Sequence, residues 1–264
     1  MTAFIQFPTS STDGVRNAIA NASRKTGVDF SYLLGQANIE SGLRPDAKAA
    51  TSSATGLFQF VDQSWLAVMS QHGQANGLGW ASNAIQQTSG GRYYVADPAM
   101  RQQIMNLRKD PETCSIMAAE HAADNKAAVE GCLGRTATGT DLYICHFLGQ
   151  KGGQKFLSAM QNNAGATAAS LFPAAGRANR NVFYNKDGSA KTLAQVYDRF
   201  AGKLGQGAAS SGNSLPGGNG RMDTATLNRL QLARMNPGQG QNSFLRPSPD
   251  NARTAYLMLA NLGA

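Results

Sequence analysis

Apolar residues recur along most of the chain at intervals of three and four, and no run alternates with the period of two that a half-buried strand requires. Val15, Ile19 and Ala22 form one such stripe, and Asp13 can cap a helix that carries it to about Lys25. A second helix starts at Asp29 or Ser31 and runs to about Ser41, where Gly42 supplies a stop signal. Residues 43–56, rich in Ala, Ser and Thr, read as a loop. The helical pattern resumes over 62–70, with Trp65 and Met69 at its apolar positions, and lapses over 73–91, where Trp80 is the expected anchor. Asp97-Pro98 and Asp110-Pro111-Glu112 each join a capping acid to a proline at the first helical position, and the second predicts a long helix to about Val129. Thr140 is expected to cap a helix over 141–148. The glycines of 149–153 should then turn the chain into a helix over 154–161, and Thr192 should cap a last core helix to about Leu204.

Beyond that point the composition shifts. Residues 205–220 are dominated by Gly, Ser and Asn, which bury too little to fold alone and predict a flexible linker. The expected organisation is an extension over 1–12, an all-α domain over 13–204, a linker over 205–221 and an accessory tail over 222–264 with two short helical patterns. No internal repeat is present. No stretch approaches the roughly 20 apolar residues of a membrane span. The start, Met1 to Pro8, lacks the basic and apolar regions of a signal peptide, which leaves a removed signal and another export route equally open.

A net charge of +8 and a pI of about 9.6 imply attraction to a polyanion. Nucleic acid and an anionic cell wall both satisfy that, but the chain has no zinc-finger spacing, no RNP-like aromatic motif and no dense basic run, so nucleic acid is the weakest reading. The three cysteines, Cys114, Cys132 and Cys145, cannot all pair, and their spacing is not that of a metal site. They are expected as small buried residues with at most one disulfide. No metal and no organic cofactor is expected.

The candidate chemistry lies at Glu40. Leu33, Ala37 and Glu40 fall at i, i+4 and i+7, so the carboxyl extends a stripe that otherwise faces the core. Burial and the negative end of a helix both favour the protonated carboxyl, as the general acid of a glycosidase requires. The segment Glu40-Ser41-Gly42-Leu43-Arg44-Pro45-Asp46-Ala47, followed by Gly56-Leu57-Phe58-Gln59-Phe60 and Trp65, resembles the signature of soluble lytic transglycosylases and goose-type lysozymes. Asp110-Pro111-Glu112-Thr113 before an Ala-rich helix is similar to a third block of that family. Leu142 to Gly149 stands where many members carry Ala-Tyr-Asn-Ala-Gly, and its His146-Phe147-Leu148-Gly149 form, with Leu171-Phe172-Pro173, Phe183-Tyr184 and Val196-Tyr197, resembles alphaproteobacterial-type members. The resemblance covers roughly residues 13–204.

It implies a lysozyme-like helical domain that cleaves the bond between N-acetylmuramic acid and N-acetylglucosamine in peptidoglycan, leaving a 1,6-anhydromuramyl product, with Glu40 as acid and then base. Ser41 matches the serine beside the acid, either touching substrate or bonding backbone. Gln59 would hydrogen-bond sugar in a groove wall to which Phe58 and Leu57 contribute packing. Many members carry a serine six residues before the motif glycine; here that position is Ala50, and Thr51 or Ser52 would supply the hydroxyl. His146 stands for the tyrosine that usually faces the acid, with Tyr143 one turn earlier, and Glu120 either lines the same groove or forms a surface ion pair. His72 and His121 have no assigned partner. The groove is expected between the Glu40 helix, residues 56–59 and the 141–148 helix.

Two other classes remain open. A hydrolase of the lysozyme type would need a second carboxylate, for which Asp46, Asp62, Glu112 and Glu120 are the nearby candidates. A catalytically silent wall-binding module of a secretion or flagellar assembly would keep the groove alone. The resemblance implies a periplasmic or exported monomer whose partner is the glycan strand, with 222–264 as the segment through which a secretion, flagellar or phage assembly would bind.

Overall fold

The computed structural model describes residues 12–50 and 52–210. The described chain is mostly helical, with one minor two-stranded sheet. Residues 1–11 of the expected extension over 1–12, the tail over 222–264 and Thr51 lie outside the described residues, as does all of the linker beyond 210. No helix among the described residues is long and apolar enough to cross a membrane.

The first two helices follow the sequence closely. Helix α1 spans Thr12–Thr26 and buries Val15, Ala18, Ile19 and Ala22. Helix α2, Phe30–Ser41, is capped by Asp29, whose side chain accepts from the Tyr32 amide at 2.8 Å. It ends at Gly42 in the left-handed conformation, φ 62°. Residues 43–61 form a folded loop, and helix α3 follows at Asp62–His72, one half-turn longer than predicted. The 73–91 stretch is less irregular than its composition implies. It holds a 3₁₀ turn at Gln74–Asn76, a short helix α4 at Gly79–Ala84, and strand β1 (Gln86–Gln87), which pairs antiparallel with β2 (Tyr93–Tyr94). Trp80 is no anchor here: it is 43 % exposed on α4, while Trp65 is wholly buried and donates its indole N–H to the Ile104 carbonyl at 2.8 Å.

Helix α5 (Pro98–Asn106) and the 3₁₀ turn Leu107–Lys109 lead into α6, Pro111–Leu133. Asp97 and Asp110 cap as expected, accepting from the Met100 amide at 2.6 Å and the Thr113 amide at 2.9 Å. Helix α7 covers Gly139–Leu148, and its cap is Thr138 rather than Thr140. Thr138 Oγ1 accepts from the Asp141 amide while Asp141 accepts from the Thr138 amide, a reciprocal box that leaves Thr140 inside the helix.

The glycines after α7 do not all turn the chain. Only Gly149 does; α8 already runs from Gln150 to Asn162 and contains Gly152 and Gly153. A Cβ on Gly153 would overlap Cys145 Sγ and sit 2.7 Å from its Cα, so that glycine exists to let α8 lie against α7. Three short helices, α9 (Ala168–Leu171), α10 (Pro173–Ala178) and α11 (Arg180–Phe183), then lead to α12, Leu193–Ser210.

The same physical reason corrects the start of the linker. Residues 205–210 continue α12, because Gly207 crosses α2 at Gly35: a Cβ on Gly207 would lie 2.8 Å from the Gly35 carbonyl oxygen. Asn38 Nδ2 donates to the Gly207 carbonyl at 3.1 Å across that crossing. With α1, α6 and α12 packed on it, α2 buries residues on nearly every face, Gln36 and Glu40 included.

Candidate active site

Glu40 occupies the last turn of α2, and its side chain is 6 % exposed. Helix α7 faces it with two groups. The Tyr143 hydroxyl donates to Glu40 Oε1 at 3.2 Å, and His146 Nε2 lies 3.3 Å from the same oxygen. One helical turn separates the two groups, so both project from one side of α7. Sequence reasoning set His146 in the place of the facing tyrosine; the structure brings Tyr143 and His146 to the acid together. Glu40 Oε2 receives no hydrogen bond from a described residue and is not sealed from solvent, so it is the oxygen a ligand would meet.

The donors are themselves held. Tyr143 packs edge-on against Phe200 of α12 at 5.3 Å between ring centroids and lies 5.7 Å from the His146 ring. Phe147 lies tilted against the same Phe200 ring, 4.9 Å between centroids. Burial, and then the Glu40 charge, push the Tyr143 phenol well above its ordinary range, so it remains a protonated donor throughout the working pH range. Tyr32 lies in the same region, its phenol raised by burial and then by the charges of Cys145 and Glu40.

The loop over 43–61 is pinned to the end of α2. Ser41 Oγ donates to the Leu57 carbonyl at 2.7 Å and approaches the Ala37 carbonyl at 3.0 Å, while it accepts from the Arg44 amide at 3.2 Å. Ser41 has no exposed surface, so the expectation that it touches substrate is corrected: it ties the end of α2 to the loop. Phe58, expected to contribute packing to the groove wall, is fully buried in the core and does not touch a ligand there. Gln59 adopts φ 50° and is 8 % exposed; its Nε2 donates to the Ala47 carbonyl at 3.1 Å and the Gly56 carbonyl at 2.8 Å. Both amide hydrogens are thereby used to shape the loop, and only the amide oxygen is left for a ligand. Ser52 is half-buried, and its Oγ accepts from the Ala54 amide at 3.3 Å.

Arg108 is the residue the sequence reading missed. It is 7 % exposed and spans the loop from behind, with Nη1 donating to Ser53 O at 2.9 Å, Phe60 O at 3.0 Å and Asp62 Oδ1 at 3.0 Å. Its own carbonyl carbon lies 2.8 Å from where a Gly56 side chain would begin, and Gly56 sits at φ 87°. The signal for Arg108 is absent locally, because its partners lie about fifty residues upstream.

Glu120 is not brought to this site. It faces His72 (Oε2 to Nδ1, 3.5 Å) and accepts from Asn76 Nδ2 at 2.9 Å, and Asp124 lies 2.8 Å from the other ring nitrogen of His72. The cluster joins α6 to α3 and the turn after it, the ion-pair alternative that the sequence left open. His121, also unassigned from sequence, lies against Phe60 at 6.4 Å between rings. Burial, then the neighbouring His146 charge, lower its pKa to about 4.

The remaining acids are occupied or remote. Asp62 pairs with Arg101 at 2.6 Å and Arg108 at 3.0 Å, and Glu112 accepts from Asn21 at 3.3 Å. Asp46 is exposed on the loop. Cys114, Cys132 and Cys145 are all free thiols, and burial pushes the first and last up to about 12. No group of His, Cys, Asp and Glu among the described residues is arranged to hold a metal ion. No family model matches the chain.

Proposed function

We propose that the chain is a peptidoglycan lytic transglycosylase with a lysozyme-like helical domain, acting on glycan strands in the periplasm or outside the cell. The observation that carries this is the environment of Glu40: one carboxylate oxygen met by both Tyr143 and His146, the other left open to solvent. The motif resemblance at Glu40-Ser41 and at residues 56–59 supplies the substrate class.

In this mechanism Glu40 Oε2 carries the proton to the glycosidic oxygen as the bond to the muramyl anomeric carbon breaks, and the bonding electrons leave with the N-acetylglucosamine oxygen. The muramyl 6-hydroxyl then attacks the anomeric carbon. Its proton returns to the Glu40 carboxylate, which regenerates the acid and closes the 1,6-anhydro ring without water. Tyr143 and His146 hold the carboxyl in one orientation through both steps, so that the same oxygen donates and then accepts.

A hydrolytic outcome on the same scaffold needs a second free carboxylate to activate water. Asp62, Glu112 and Glu120 are engaged elsewhere, so of the four candidates only Asp46, exposed on the loop, is left for that role. Digestion of purified sacculi by the full chain, with mass analysis of released muropeptides, tests the proposal. Anhydro products one water lighter than hydrolytic ones are expected, and Glu40→Gln should release them about 10²–10⁴-fold more slowly. Release of reducing-end products instead would establish the hydrolase, and inactivity of the unaltered chain would leave a silent wall-binding module.

A further inference from the structure

Two cations on α12 stand beside this site without serving the fold. Arg199 and Lys203 are spaced i, i+4 and so share one side of the helix. That side adjoins the stripe of Phe200, Leu204 and Gly207, of which Phe200 packs on Tyr143 and Gly207 on Asn38 and Gly35 of the Glu40 helix. Neither cation makes a hydrogen bond or an ion pair within 4.0 Å with another described residue. Arg199 Nε is buried and unpartnered. A buried guanidinium nitrogen with no acceptor is costly unless something outside the fold satisfies it. Lys203 is partly buried, which lowers its pKa, and the nearby Glu40 carboxylate partly offsets this. Asp198, the adjacent acid on α12, is exposed and pairs with neither. Lys191, whose pKa is lowered by burial and then by the Arg199 charge, is turned toward the Asn181 and Tyr184 carbonyls.

We propose that Arg199 and Lys203 form an anion subsite next to Glu40 that takes a carboxylate of the acidic peptide stem borne by the muramyl residue. The inference rests on the wall-glycan reading above and adds to it a preference: strands carrying stems bind better than bare strands. A planar guanidinium and an ammonium one turn apart suit a carboxylate on a flexible peptide. Their placement on a helix fixed to α2 and α7 keeps that contact in register with the acid.

The test compares stem-bearing glycan strands with strands stripped of peptide by an amidase, using the full chain and the Arg199→Gln/Lys203→Gln double variant. The unaltered chain should favour stem-bearing strands by about tenfold in KM, the scale of one or two charge-assisted hydrogen bonds. The double variant should lose that preference with its melting temperature unchanged, and Arg199→Lys/Lys203→Arg should recover most of it. Titration with the isolated acidic stem tetrapeptide gives a readout independent of turnover, and binding should be lost in the double variant. Equal cleavage of both strand types by the unaltered chain, with no tetrapeptide binding, overturns the subsite and leaves the enzyme reading intact. Tetrapeptide binding that depends on both cations, without cleavage of either strand, keeps the subsite and removes the enzyme reading.

Discussion

At the scale of single residues the site is asymmetric, and the asymmetry makes predictions. Glu40 has one oxygen occupied and one open, so its two neighbours should affect turnover differently from the acid itself. Glu40→Gln keeps the shape and removes the proton transfer, and turnover on sacculi should fall by about 10²–10⁴-fold with little change in melting temperature. Tyr143→Phe removes one donor to a buried carboxylate, a loss on the order of 1.5–3 kcal/mol, so kcat should drop by about tenfold or more while KM stays near its original value. Ser41 behaves as a structural pin. Ser41→Ala leaves the buried Leu57 carbonyl without its partner and should lower stability by about 1–3 kcal/mol in a denaturant titration. Activity of the folded fraction should fall only as far as the loop shifts. The sequence made Glu40 legible because acid, serine and downstream glycine motif lie within twenty residues. It left the role of Ser41 open, because adjacency to an acid says nothing about which side of the chain a side chain occupies.

At the scale of elements, glycine placement decides whether α7 and α12 present their groups correctly. Gly153 permits α8 to touch the backbone of α7 at Cys145, two residues from Tyr143 and next to His146. Gly153→Ala should push α7 aside, lowering stability by about 1–3 kcal/mol and lowering kcat as well, measured by thermal melting and by initial rates on the same preparation. A stability loss with unchanged kcat would show that α7 is positioned by other contacts. The glycines at 149–153 read as a turn and those at 205–210 as a linker, since composition records that glycine is present and not what lies against it. Capping showed a related limit: Thr138 and Thr140 are equally good caps in sequence, and the reciprocal bonds with Asp141 select the first.

At the scale of the whole molecule, charge and burial set the acid sensitivity of the fold. His121 lies on α6 against Phe60, facing the charges of His146, His72 and Asp124, and its pKa falls from the ordinary 6.5 to about 4. The folded state therefore holds His121 neutral where the unfolded chain would protonate it. Its contribution is fully present above pH 6.5 and is lost as pH falls from 6.5 toward 4. His121→Gln should show a smaller drop in melting temperature than the parent between pH 7 and about pH 4.5. Identical drops would mean that the carboxylate clusters, among them His72 with Glu120 and Asp124, carry the acid response.

What the amino-acid order determined by itself was local: an all-α chain, most helix starts through their capping acids and prolines, and one acid flanked by a motif with a chemical meaning. These follow from interactions spanning a few residues, where periodicity and capping chemistry act. The partners of Glu40 needed the tertiary structure. Tyr143 and His146 come from a helix about one hundred residues away, Arg108 braces the loop from about fifty residues away, and the α12 cations arrive from farther still. Only tertiary packing converts those distant positions into neighbours, and the close approaches at Gly35, Gly153 and Gly207 set how near the helices come.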